Sequence, residues 1–179
     1  MPILLVPYLT EADSIHTGYK YISIVYGVEN RYLTSKGEVR YAVCNEVDCH
    51  MSNEAAVKLG IEAARSIGSE LSLAVRTGKG FHYYLNEWSN SFWESILRSQ
   101  EFVEYMPAAC RDYGRVWAAH TAYFWWGWER AVLRVTATKY VIPRPFKIIY
   151  YLEPEDPDHR DYIVRVKKLY ATSYLLPYL

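Results

Sequence analysis

The sequence predicts a mainly α-helical bundle with one long helix over about 107–139, an extended N-terminal arm and a β-hairpin over 19–47. Three observations carry this. Pro107–Lys139 reads as one helix about 50 Å long at 1.5 Å per residue, with proline at its first position. Apolar residues recur at three- and four-residue spacing from Val57 to Ala74 and again between Phe92 and Val103. Both chain ends are apolar and broken by prolines, the pattern of segments that dock rather than fold alone.

A single domain over 1–179 is expected, divided into an arm (1–18), the hairpin region (19–50), a helical core (52–140) and a C-terminal extension (141–179). In the arm, Pro2 and Pro7 keep their predecessors extended among Ile3, Leu4, Leu5, Val6 and Tyr8. Tyr19–Val28 and Glu38–Val47 are rich in β-branched and aromatic residues, and Ser35-Lys36-Gly37 supplies turn chemistry between them. Ser52 can cap the first helix, with Glu54 near the positive end of its dipole, and Thr77-Gly-Lys-Gly80 reads as its C-terminal stop. A second helix fits Ser89–Tyr105. Lys147–Leu152 reads as a short strand, and Asp156-Pro157 as the start of a last helix through Ile163, Val166 and Tyr170. Tyr162, Val164 and Val166 also fit a strand; helix is the preferred reading.

Twenty basic and twenty acidic residues cancel, so nucleic-acid contact would need a local basic face. One Gln, five Asn and 18 Tyr follow the thermophile tendency to lose thermolabile amides. The N-terminus lacks the basic region of a signal peptide, and the apolar run Val116–Trp128, 13 residues, is too short to cross a bilayer. A soluble intracellular protein without a membrane span is the expectation. Three cysteines, Cys44, Cys49 and Cys110, argue against a disulfide framework. Cys44-x4-Cys49-His50 lacks the second close pair of a zinc site, so the cysteines are read as buried thiols and no metal or other cofactor is expected.

No acid–base carboxylate pair and no hydrolase, zincin or dinucleotide motif is present in the sequence. Arg115-x4-His120 resembles the R-x4-H element of HEPN-type ribonucleases, in which arginine and histidine act on an RNA phosphate. Five residues place the two about 140° apart on a helix. The stronger signal is basic and aromatic. Arg111/Arg115 and Arg130/Arg134 form two pairs, each one helical turn apart, flanking Trp117, Trp125, Trp126 and Trp128. Such arginines serve either salt bridges to Asp112 and Glu129 or phosphate contacts.

The arm, the long helices, the absence of a catalytic motif and the thermophile-like composition together resemble the capsid proteins of filamentous archaeal viruses. The resemblance is one of architecture and covers residues 1–140. It implies related or identical helical subunits that clamp double-stranded DNA in A form, with arms and tails interlocking neighbours in a virion. On that reading Arg111, Arg115, Arg130 and Arg134, with Lys58, Arg65 and Arg76 of the first helix, neutralise phosphates. Trp117, Trp125, Trp126 and Trp128, with Tyr8, Tyr174 and Tyr178 of the tails, meet other subunits in a homo- or hetero-oligomer. The competing expectations are a HEPN-like ribonuclease and a small cytoplasmic α+β accessory domain that binds a protein through exposed tryptophans.

Overall fold

The computed structural model describes residues 5–13, 20–78, 80–111, 121–135 and 146–172. It is mixed α/β, not a helical bundle. Strands β1 (Leu5–Asp13), β2 (Lys20–Glu29), β3 (Arg31–Leu33) and β4 (Val39–Val47) lead into helix α1 (Asn53–Ser66). Strands β5 (Leu71–Arg76) and β6 (Phe81–Ser89), helix α2 (Phe92–Tyr105) and a 3-10 turn (Ala108–Cys110) follow. Strands β7 (Val132–Arg134) and β8 (Lys147–Tyr151) precede helix α3 (Pro157–Ala171).

Two antiparallel sheets result, ordered β1-β2-β7 and β3-β4-β6-β5-β8. The larger sheet is covered on both faces. Alternate residues of β6 divide between them: Phe81, Tyr83 and Leu85 join the core beneath α1 and α2, while His82 and Tyr84 face Tyr170 of α3. The α1/α2 side packs through small residues, Ala56, Ala63 and Ala64. A Cβ on Gly60 would lie 2.5 Å from Cε1 of Tyr83, so glycine is what lets α1 settle on that ring.

Where local side-chain chemistry starts a helix, sequence and structure agree. Ser52 accepts from Ala55 N–H and Asp156 from His159 N–H, with Pro157 in the first turn of α3, whereas the second helix, expected from Ser89, begins at Phe92 with Ser91 accepting from Glu94 N–H. Where pairing partners decide, they differ. The helical reading of 52–76 stops at Ser66, and Leu71–Arg76 is an interior strand between β6 and β8. Its first five residues are all buried, and such a continuous run can imitate a helix face. Thr77–Gly80 is accordingly a strand connection and not a helix stop.

The hairpin over 19–47 is also repartnered. Its two strands exist as β2 and β4, but β2 pairs with β1 of the N-terminal arm and with β7, while β4 pairs with β3 and β6. The chain passes from one sheet to the other at Asn30, which is buried. Its amide donates to Ala42 O (3.2 Å) and Ser95 Oγ (3.3 Å) and accepts from Ala131 N–H (2.9 Å). Its backbone bonds Ala131 and Ala42, so one residue ties β4, α2 and the approach to β7.

The long helix over 107–139 is the largest correction. Among the described residues of that stretch, 108–110 form the 3-10 turn, 121–126 are helical, and 132–134 are β7. The thiol reading changes too. Cys49 and Cys110 form a disulfide that joins the approach to α1 to the segment after α2, while Cys44 is a buried free thiol. Among the described residues, no helix is long and apolar enough to cross a membrane.

Candidate functional site

The helical run 121–126 ends at Gly127, whose φ of +67° lies in the left-handed region that glycine enters without a Cβ clash. Its N–H reaches Tyr123 O at 2.9 Å, which closes the helix end. The chain then returns through Trp128 to Arg130 and is pinned by Ala131 on Asn30. This short excursion, whose large rings are exposed, is here called the projection.

Its base is packed. Tyr123 lies against Phe92 and Trp93 of α2, with ring centroids 5.6 and 5.8 Å apart, and Phe124 meets Trp93 edge-on at 5.5 Å. Its outer part is bare: Phe124 is 70% exposed, Trp125 78%, Trp126 62% and Trp128 49%. A large ring offers roughly 150–250 Å². Four of them at these exposures present on the order of 500 Å², within the size range in which an apolar surface patch is often functional.

Beside the rings lies a cleft of about 360 Å³ lined by Arg31, Gly127, Trp128, Glu129 and Arg130. Its floor is organised by Glu29, whose side chain is fully buried. Arg31 Nε lies 3.5 Å from one carboxylate oxygen and Arg130 Nη1 3.4 Å from the other. Burying a carboxylate is costly without such partners. Both guanidiniums remain partly exposed, at 43% and 37%, and Arg130 also sits 4.8 Å over the Trp128 ring. Tyr41 donates its hydroxyl to Glu129 at 2.7 Å; burial and then this carboxylate push the Tyr41 phenol up to about 12.

A second cleft, about 290 Å³, runs along the outer side of α2. Val43, Trp88 and Leu97 supply apolar wall, and Glu87, Glu94 and Glu101 supply charge. Arg98 bridges Glu87 at 2.8 Å and Glu101 at 2.6 Å. Glu94 accepts instead from the Ser89 hydroxyl at 2.8 Å, so two of the three carboxylates pair with the guanidinium.

Among the described residues, His82 and His159 are buried. His159 donates from Nε2 to Leu85 O (3.0 Å), and its Nδ1 lies 3.0 Å from the Tyr32 hydroxyl. Burial holds its pKa below the usual histidine value. His82 Nδ1 and the Tyr170 hydroxyl are 2.8 Å apart, and Tyr170 also meets the Tyr84 hydroxyl at 2.9 Å.

Of the residues singled out in the sequence, Trp125, Trp126, Trp128 and Arg130 come together on the projection. Arg134 lies on β7, 4.9 Å over the Phe146 ring. Arg111 follows the 3-10 turn and donates to Met106 O at 2.9 Å. Arg76 donates to Met51 O and Asn53 Oδ1, fastening β5 to the start of α1. Lys58 and Arg65 are exposed on α1 in alternation with Glu54 and Glu62. Arg115, Trp117, His120, Tyr174 and Tyr178 lie outside the described residues, as does the side chain of Tyr8, whose backbone pairs with Val25. Phe124, Glu29 and Arg31 were not in the sequence-derived set. Phe124 belongs to the same Phe-Trp-Trp run, and Glu29-Asn30-Arg31 is a polar triplet between two apolar strands, a signal that a chain crossing can leave.

Neither a protein-family model, a curated protein nor a solved structure matches this chain.

Proposed function

We propose that this chain is a structural assembly protein that packs against another subunit of its own kind through the aromatic projection at 123–128. The observation that carries the reading is the outward exposure of Phe124, Trp125, Trp126 and Trp128 on a base fixed by Tyr123 and Ala131. Burying on the order of 500 Å² of ring would contribute roughly 12 kcal/mol of gross transfer free energy at about 25 cal/mol per Å². That is enough to offset much of the ordering cost of association. The neighbouring Arg31, Glu129 and Arg130 supply the polar rim that accompanies aromatic anchors in protein interfaces.

Sedimentation of the purified chain over a dilution series tests this. Concentration-dependent assembly that disappears in Trp125→Ser/Trp126→Ser is the expected result, and a wild-type chain that stays monomeric throughout refutes it. The same material shows whether nucleic acid travels with it. A nucleic-acid absorbance signature in the assembled peak would make DNA coating part of the function, and a protein-only spectrum would leave an assembly of subunits alone.

A further inference from the structure

We propose that the Cys49–Cys110 disulfide is a redox-operated strap: a dithiol reductant opens it in the folded protein and frees the turn after α2, residues 107–111, while both sheets stay closed.

The two ends of the bond are held very differently. Cys49 lies between β4 and α1, in a stretch that other contacts fix. Arg76 of β5 donates to Met51 O at 3.0 Å and to Asn53 Oδ1 at 2.8 Å, and Ser52 caps α1. Cys110 closes the 3-10 turn, whose hydrogen bonds are all local. Met106 N–H donates to Val103 O, Cys110 N–H to Pro107 O, and Arg111 Nε to Met106 O. Pro107, Ala108, Ala109 and Arg111 are exposed, and only Cys110, at 4%, enters the core. Among the described residues, the disulfide is the only bond from this turn to another element.

A segment with few buried contacts opens locally at little cost once its covalent tie is gone. The rest of the fold does not depend on it. Strands β4, β6, β5 and β8 pair with one another, and Phe102 and Val103 hold the end of α2 in the core. Opening therefore removes Cys110 from the cluster that it shares with Phe102 and Met106 and leaves the layers in place.

The bond is also within reach of solvent. Cys49 is half-buried between the exposed Asp48 and His50, so a thiolate attacks there and not at the buried Cys110. The attack forms a mixed disulfide at Cys49 and expels the Cys110 thiolate, which takes up a proton. The second thiol of the reductant then displaces Cys49. The reductant ends as a disulfide and the protein as two thiols, a two-electron exchange. Cys44, buried and outside the pair, takes no part.

Alkylation of the folded chain, read by mass spectrometry, tests the strap. With dithiothreitol present, Cys110 should react at a rate near that of the urea-unfolded chain, while Cys44 stays unlabelled and circular dichroism is unchanged. Cys49→Ser should give the same fast labelling of Cys110 without reductant. A Cys110 that stays as slow as Cys44 in the reduced, folded chain overturns the proposal, since packing alone would then hold the turn. Fast labelling of Cys44 as well overturns it too, because the bond would then be holding the whole fold. So does a bond that resists the dithiol until urea unfolds the protein, or an untreated chain in which all three cysteines react.

Discussion

The aromatic residues of this protein fall into two populations that behave oppositely. Between the larger sheet and α3, Tyr32, Tyr84, Tyr162 and Tyr170 are buried, and each hydroxyl has a partner: His159, Tyr170, Glu29 O and His82 among them. On the projection, Phe124, Trp125, Trp126 and Trp128 are exposed, Phe124 edge-on to Trp93 and Trp126 against Trp128. The first population is ring plus satisfied polar tip, the form in which a large amphipathic side chain stabilises an interior. The second leaves its apolar area unused by the fold. Aromatic content alone therefore does not reveal its role; what covers the ring does.

The comparison predicts a descending series of effects on stability. Tyr170→Ala should be the most damaging, by about 5 kcal/mol or more, since it opens a cavity and also strips partners from His82 and Tyr84. Urea denaturation would measure it, and a loss near that of an average surface substitution would show that the buried tyrosine cluster is not the keystone of the α3 layer.

Next comes the Cys49–Cys110 bond, whose ends are 61 residues apart. Chain-entropy arguments put its contribution at about 4 kcal/mol. Reductant should lower the denaturation midpoint accordingly. Alkylation of the unreduced, denatured protein should label Cys44 alone, and labelling of all three cysteines would contradict the disulfide.

Acid should act more gently. His159 is buried and its pKa is depressed, so the unfolded chain takes up the proton first as pH falls. Its contribution is fully present above the unfolded value of 6.5 and is lost as pH falls from there through the folded value. The local slope is positive and stays below the roughly 1.4 kcal/mol per pH unit that a whole proton would give. Stability measured against pH in His159→Phe should lose that part of the slope; an unchanged slope would mean the ring does not titrate on unfolding.

Trp125→Ser/Trp126→Ser should change folding stability least, within about 0.5 kcal/mol, despite removing two of the largest side chains. A substantial drop in melting temperature for the isolated monomer would mean that the projection belongs to the core after all, and the contrast between the two populations would collapse.

Helix starts were legible because their chemistry is local: Ser52 and Asp156 sit three residues from the N–H groups they cap, and no distant partner is needed. The exposure of Trp125, Trp126 and Trp128 follows from a similarly local cause, since so many large rings in so few residues exceed what one face can bury. The sequence by itself also determined that Tyr19–Val28 and Glu38–Val47 would be extended, through their β-branched and aromatic content. It could not determine their partners. Strand pairing joins residues far apart in the chain, Gly27–Glu29 with 132–134 and Leu73–Arg76 with 147–151, and those contacts overrode the helical spacing in both the 71–76 and 132–134 segments. The convergence of Arg31 and Arg130 on Glu29 is of the same kind. It exists only because Asn30 carries the chain between two sheets and pins Ala131 beside it, which places charges about a hundred residues apart within 3.5 Å. Propensity and capping act over one helical turn; register and burial are settled only when the sheets close.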